Sequence, residues 1–141
     1  MRTMNFSKAK AITSGYKCYS YGVTNFNAAV CFYNTLFKSL NFISNEMEDL
    51  KIYCFQDLEV YFELRKAIPT RTRRYYKSKS LSSNPISIRV KSKEQVDTIY
   101  NQLVHFDNLD QRQPRYYNYG QDERYILYFN DLEGFPVEIF H

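Results

Sequence analysis

No tryptophan occurs in this chain, and its two histidines, His105 and His141, are the only imidazoles available to a metal or to proton exchange near neutrality. Cysteine is nearly as scarce. Cys18, Cys31 and Cys54 are odd in number, widely spaced and without any CxxC, which excludes a disulfide framework and reads as reduced thiols in a cytoplasmic protein. Four glycines and four prolines are too few for a collagen-like chain. No apolar run approaches the roughly 20 residues that a membrane-spanning helix needs. Residues 1–15 carry basic side chains but no apolar core, so no secretory signal is expected. With 44% hydrophobic and 24% charged residues over 141 positions, the composition is that of a globular chain with one compact domain or two very small ones.

Aromatic residues fill the gap. Fourteen Tyr and eleven Phe make 18% of the chain. A tyrosine pairs an apolar ring with a hydroxyl that wants a partner, so it suits walls that are half core and half cleft. Equally, tyrosine replaces leucine and valine in half-buried strands. The net charge of +4 is unevenly placed: residues 65–93 hold ten basic residues and no acid, whereas residues 94–141 hold three basic and nine acidic ones. Within the basic stretch, Arg71, Arg73, Arg74, Lys77 and Lys79 surround Tyr75 and Tyr76, a composition physically adequate for phosphate contacts and base stacking. No nucleic-acid motif accompanies it, and a solvated surface connector over residues 65–84, interrupted at Pro69, is the expected reading.

Hydrophobic periodicity predicts two helices. The first covers residues 25–40, with Phe26, Ala29, Val30, Tyr33, Leu36, Phe37 and Leu40 on one face and Thr24 or Asn25 as its cap. The second covers 92–104, where Ser92 and Gln95 have capping-box spacing and Val96, Ile99, Tyr100, Leu103 and Val104 form the stripe. Strands are predicted at 18–23, 41–45, 50–55, 58–64, 86–90, 115–119, 125–129 and 136–140, with turns at 56–57 and 130–134. Each half therefore reads strand, helix, strand, strand, strand. Shifting the chain by 67 residues superposes Ser20 on Ser87, Val23 on Val90, Tyr33 on Tyr100, Asn34 on Asn101 and Leu36 on Leu103. At the far end, an offset of 75 brings Glu63 onto Glu138. The chain reads as a duplicated βαβββ module: residues 12–64, a basic connector at 65–84, and residues 85–141.

The stretch Ala29 to Phe37, with its Phe32-Tyr33 pair ahead of Leu36, resembles the opening helix of the vicinal oxygen chelate superfamily. Tyr128 to Ile139, an aspartate-turn-glycine hairpin followed by a strand with a glutamate, resembles that family's closing signature. Leu132 departs from the proline usual in that turn, and Phe37 from the glycine common after the leucine. The resemblance implies an α+β fold of two βαβββ modules pairing into a curled mixed sheet around a cleft, as in glyoxalase I, bleomycin-resistance proteins and extradiol dioxygenases. It implies metal-ligand positions at Cys18, Glu63, Pro85 and Glu138. Pro85 has no donor, Cys18 is soft where a hard metal wants histidine or carboxylate, and both histidines lie elsewhere.

The expectation is therefore a metal-independent, cofactor-free protein that binds a small molecule in an aromatic cleft. Its candidate ligand-binding residues are Tyr19, Tyr21, Tyr53, Tyr61, Glu63, Tyr117, Tyr119, Tyr128 and Glu138, and strand alternation turns only some of the tyrosines inward. The acidic second half suits a cationic ligand. Glu138 is also the candidate base if the chain is an enzyme, since burial raises a carboxyl pKa. The alternative is a lyase, transferase or dioxygenase of the same superfamily with a divergent site at Cys18, Glu63 and Glu138. Cys18 otherwise reads as a small buried residue and Pro85 as a strand start. A homodimer is expected from the strand edges that such modules leave.

Overall fold

Asn25 and Ser92 start two helices of eleven residues, α1 (Phe26–Leu36) and α2 (Lys93–Leu103), in a computed structural model that describes Lys8 and residues 15–67, 85–106 and 113–141. Asn25 Oδ1 accepts from the Ala28 N–H at 3.1 Å, and Ser92 Oγ accepts from the Gln95 N–H at 3.1 Å. Each side chain answers one of the four backbone donors that a first helical turn leaves unpaired. Gln95 Oε1 accepts in return from the Lys91 N–H at 2.9 Å. The predicted cap, box and start of α2 are all present. Its stripe is narrower than expected, with Val96, Ile99 and Leu103 buried but Val104 43% exposed, because the helix ends at Leu103. Likewise α1 stops at Leu36, and residues 37–39 continue as a turn.

The strands are β1 (Lys17–Val23), β2 (Ile43–Met47), β3 (Leu50–Phe55), β4 (Val60–Lys66), β5 (Ile86–Arg89), β6 (Arg115–Tyr119), β7 (Asp122–Asn130) and β8 (Pro136–Phe140). They form two four-stranded sheets with orders β1-β4-β3-β2 and β5-β8-β7-β6. In each, the first strand runs parallel to the last and the remaining pairs are antiparallel. The architecture is α+β with two mixed, unclosed sheets of identical topology, as the duplicated pattern requires. The helices begin 67 residues apart and end 67 residues apart. Register confirms both offsets, since Ser20 stands opposite Glu63 on β4 and Ser87 opposite Glu138 on β8.

β2 lies at 43–47 rather than 41–45 and β7 at 122–130 rather than 125–129, and both ends of β4 moved for local reasons. Gln56–Leu58 form a 3₁₀ turn closed by Glu59 at φ 55°, so β4 begins at Val60 rather than residue 58. β4 then runs on to Lys66, which takes Arg65 and Lys66 out of the expected connector; residues 68–84, with Arg71 to Lys79, lie outside the described residues. No helix among the described residues is long and apolar enough to cross a membrane.

The chain divides into two units, residues 1–31 with 40–82 and residues 32–39 with 83–141. In the first, Tyr53, Phe55, Phe62 and Leu64 are fully buried on one face of the sheet. Each such side chain contributes about 1.5–3 kcal/mol through the apolar area it removes from water. In the second, Ile86, Ile88, Val137 and Ile139 are fully buried, as are Val96 and Ile99 of α2. Phe32 packs edge-on against Phe106 and Phe129, at centroid distances of 5.2 and 6.1 Å.

Next to Phe32, Tyr33 is 1% exposed and its hydroxyl donates to Oδ2 of the buried Asp131. Asp131 Oδ1 accepts from the N–H groups of Glu133 (2.9 Å) and Phe135 (2.8 Å), and its backbone bonds Phe135 and Gly134. Gly134 has φ 88°, a conformation that disfavours a Cβ. One carboxylate thus shapes the turn that delivers β8. Leu132, where a proline was usual, is exposed, and Phe37 fills the core beside Tyr33 at 5.6 Å. Removing the Tyr33 hydroxyl leaves Asp131 Oδ2 buried without this donor, so Tyr33→Phe should cost about 1–3 kcal/mol in urea unfolding. Tyr100→Phe, at the repeat-equivalent position where the side chain is half-buried, should cost under about 0.5 kcal/mol. Equal losses at both positions would contradict this role for Tyr33.

Candidate functional site

Side chains alternate across a strand, so register alone sorts the nine candidate ligand-binding residues by face. On β4, Tyr61, Glu63 and Arg65 share one face with Cys18 and Ser20 of β1 and with Ile52 and Cys54 of β3. Tyr19, Tyr21 and Tyr53 lie on the other face, around the buried Phe62, at ring distances of 6.4, 5.8 and 6.0 Å. These three tyrosines are therefore placed on the opposite side of the sheet from Glu63. In the second unit the outcome differs: Tyr117, Tyr119, Tyr128, Glu138 and Ser87 all share one face.

Glu63 is 1% exposed, a position no carboxylate occupies without partners. Ser20 Oγ donates to its Oε1 at 2.7 Å, Arg65 Nε at 3.1 Å and Lys8 Nζ at 3.3 Å, while the Tyr61 hydroxyl donates to Oε2 at 3.3 Å. Burial pushes this carboxyl up, but the Ser20 bond and the two cations outweigh it and hold it below the usual carboxylate value. The same burial, with the anion alongside, pushes the Tyr61 phenol up to about 12. Cys18 is exposed rather than buried, because β1 carries it at the sheet's outer strand. Partial burial still pushes its thiol up, against the pull of Lys8.

Glu138 is half-buried and differently served. Ser87 Oγ donates to it at 2.5 Å, and register sets Tyr128 directly opposite it. Tyr128 in turn lies 3.3 Å from the Tyr119 hydroxyl and edge-on to the Tyr117 ring at 5.4 Å. The Tyr119 bond first, then burial and the neighbouring Glu138 carboxylate, push the Tyr128 phenol well up. Ser87 with Glu138 and Tyr128 with Tyr119 thus form two hydrogen-bonded pairs side by side across β5, β8, β7 and β6.

These residues do not fit a metal ion. At the implied positions, Pro85 offers no donor, Cys18 is a soft ligand on an exposed strand, and Glu63 already has a hydroxyl and two cations on Oε1. His141 Nδ1 sits 2.9 Å from the Val90 carbonyl. Among the described residues no group of three or more His, Cys, Asp or Glu side chains is placed to hold a metal.

Ser20 and Ser87 were missed as site residues, although their identity in the repeat was a signal for them. Lys8 had no signal at all, since nothing in its neighbourhood marks it as a partner of residue 63.

The lowered Glu63 carboxyl means the folded state binds fewer protons there than the unfolded chain. Its stabilisation is complete above the unfolded value of about 4.3 and is lost as pH falls through the lower folded value. Urea unfolding from pH 6 to pH 3 should therefore show a shallower acid decline in Glu63→Gln than in wild type. An unchanged slope would remove this role for Glu63.

No protein-family model matches the chain. No curated protein matches it either. Solved structures do. A glyoxalase/bleomycin resistance protein from Albidiferax ferrireducens T118 superposes with a TM-score of 0.67 at 15% identity, covering 90% of this chain and 98% of the other. The fosfomycin resistance protein FosX from Listeria monocytogenes gives 0.60 at 16% identity, covering 89% of each chain. A possible glyoxalase from Bacillus cereus gives 0.56 at 19% identity, covering 90% and 98%. With two βαβββ sheets in matching register and these likenesses over nearly its whole length, the chain has the glyoxalase/bleomycin-resistance fold.

Proposed function

We propose that this chain is a small-molecule binding protein that works without a metal ion and holds its ligand against the Tyr117, Tyr119, Tyr128 and Glu138 face of the second sheet. The observation that carries this is the exposed aromatic surface around a half-buried carboxylate, with Tyr119 50% exposed and Tyr117, Tyr128 and Glu138 half-buried. Rings that pack on each other edge-on offer apolar area in a fixed orientation, and a few polar groups then set the ligand's direction. Tyr19, Tyr21 and Tyr53 do not enter this reading, because their rings serve the core around Phe62.

A thermal-shift screen of aromatic small molecules, run with and without a chelator, tests this, since a compound that prefers the folded state raises Tm. Binders should keep their shift in chelator and lose most of it in Tyr119→Ala, a substitution at an exposed position. Shifts that vanish with chelator, or turnover restored by a divalent ion, would favour the enzyme reading instead.

The proposal includes a homodimer. β6 is the outer strand of its sheet and leaves Tyr116, on the face away from Glu138, about half exposed, an edge that a second copy would cover. Light scattering should give about twice the 16.9 kDa of one chain, and a single-chain mass would remove this part.

A further inference from the structure

The two modules carry the same Ser–Glu pair, and comparing their surroundings shows what each carboxylate is for. In the first, Glu63 is closed: Arg65 and Lys8 supply two cations, and the carboxylate is fully buried under them. The positions around Glu138 have exchanged those partners for rings. Register places Tyr128 opposite Glu138 where Ile52 stands opposite Glu63, and Phe140 follows Glu138 at the spacing by which Arg65 follows Glu63. Among the described residues no Lys or Arg lies within ion-pair distance of Glu138. Arg89 shares its face, opposite Phe140, but makes no ion pair with it. Arg124 is spent on Asp122 at 3.1 Å and lies over the Tyr119 and Phe140 rings at 5.6 and 5.0 Å. Arg115 stands on β6, separated from β8 by β7.

We infer that the duplicated carboxylates have divided their roles: Glu63 is a structural anion neutralised from within the chain, and Glu138 is an open one that receives the cationic group of the ligand. The Lys8 ammonium on Glu63 shows the chemistry that a Ser-supported glutamate at this register accepts. On β8 the same acceptor is bordered by Tyr128 and Phe140, with Tyr117 and Tyr119 beyond, so the fitting ligand joins an ammonium to an aromatic ring. The carboxylate takes the charge-assisted hydrogen bond, and the Tyr117 and Tyr128 rings attract the cation. This rests on the binding face proposed above and adds the charge of what binds there.

Three probes of similar size separate the two ideas: 2-phenylethylammonium, 2-phenylethanol and 3-phenylpropionate, titrated at low salt and followed by tyrosine resonances in NMR. Wild type should bind the ammonium about tenfold more tightly than the alcohol, the worth of one charge-assisted hydrogen bond, and bind the carboxylate weakest. Glu138→Gln should erase the advantage of the ammonium while still binding the alcohol. Glu123→Gln removes an exposed carboxylate from the opposite face of the same sheet and should keep the advantage. Equal binding of all three probes, or preference for the carboxylate, overturns the charge assignment while leaving the ring-lined face standing. Binding of none overturns both. The wild-type ranking decides the matter even if Glu138→Gln fails to fold.

Discussion

A carboxylate taken out of water must be met by donors, and most of what is distinctive in this chain follows from how it meets that demand at three acidic residues. Asp131 is answered by the Tyr33 hydroxyl and by two backbone N–H groups of its own turn. Glu63 is answered by a hydroxyl from the neighbouring strand and by two cations. Among the described residues, Glu138 is answered by the Ser87 hydroxyl and by no cation. The first arrangement shapes the turn into β8, the second closes a sheet face, and the third leaves charge where a ligand can reach it. Burial pushes Glu63 and Asp131 toward the neutral form, and their donors resist it.

Duplication explains why the arrangements can be compared at all. Both sheets place a serine on the first strand opposite a glutamate on the last, so the local hydrogen bond is common to them. What differs is the next layer of side chains. Ile52 and Arg65 surround one carboxylate, Tyr128 and Phe140 the other. A parallel pair of strands with fixed register lets these substitutions change the chemistry of the face without disturbing the ladder beneath it.

Much of the architecture was legible in the residues themselves. The helix caps at Asn25 and Ser92, the clean alternation of Ile86 to Arg89, and the 67-residue repeat are local signals, and local hydrogen bonding and periodicity produced the elements they indicate. The start of β4 was misjudged because Glu59 adopts a left-handed backbone that residue type does not favour. The tyrosines were harder. Period-two alternation says that neighbours point apart, yet it does not say which set faces the core, and in the first sheet Tyr19, Tyr21 and Tyr53 took the inner side with Phe62.

The sequence by itself determined the element order, the duplication and the pairing of a glutamate-bearing last strand with a serine-bearing first strand, because periodicity, capping and repeat identity act over short spans. Only the tertiary structure decided which carboxylate would be neutralised. That depends on Lys8 reaching a residue 55 positions away and on cross-strand neighbours brought together by register, and neither leaves a mark in the local order of amino acids.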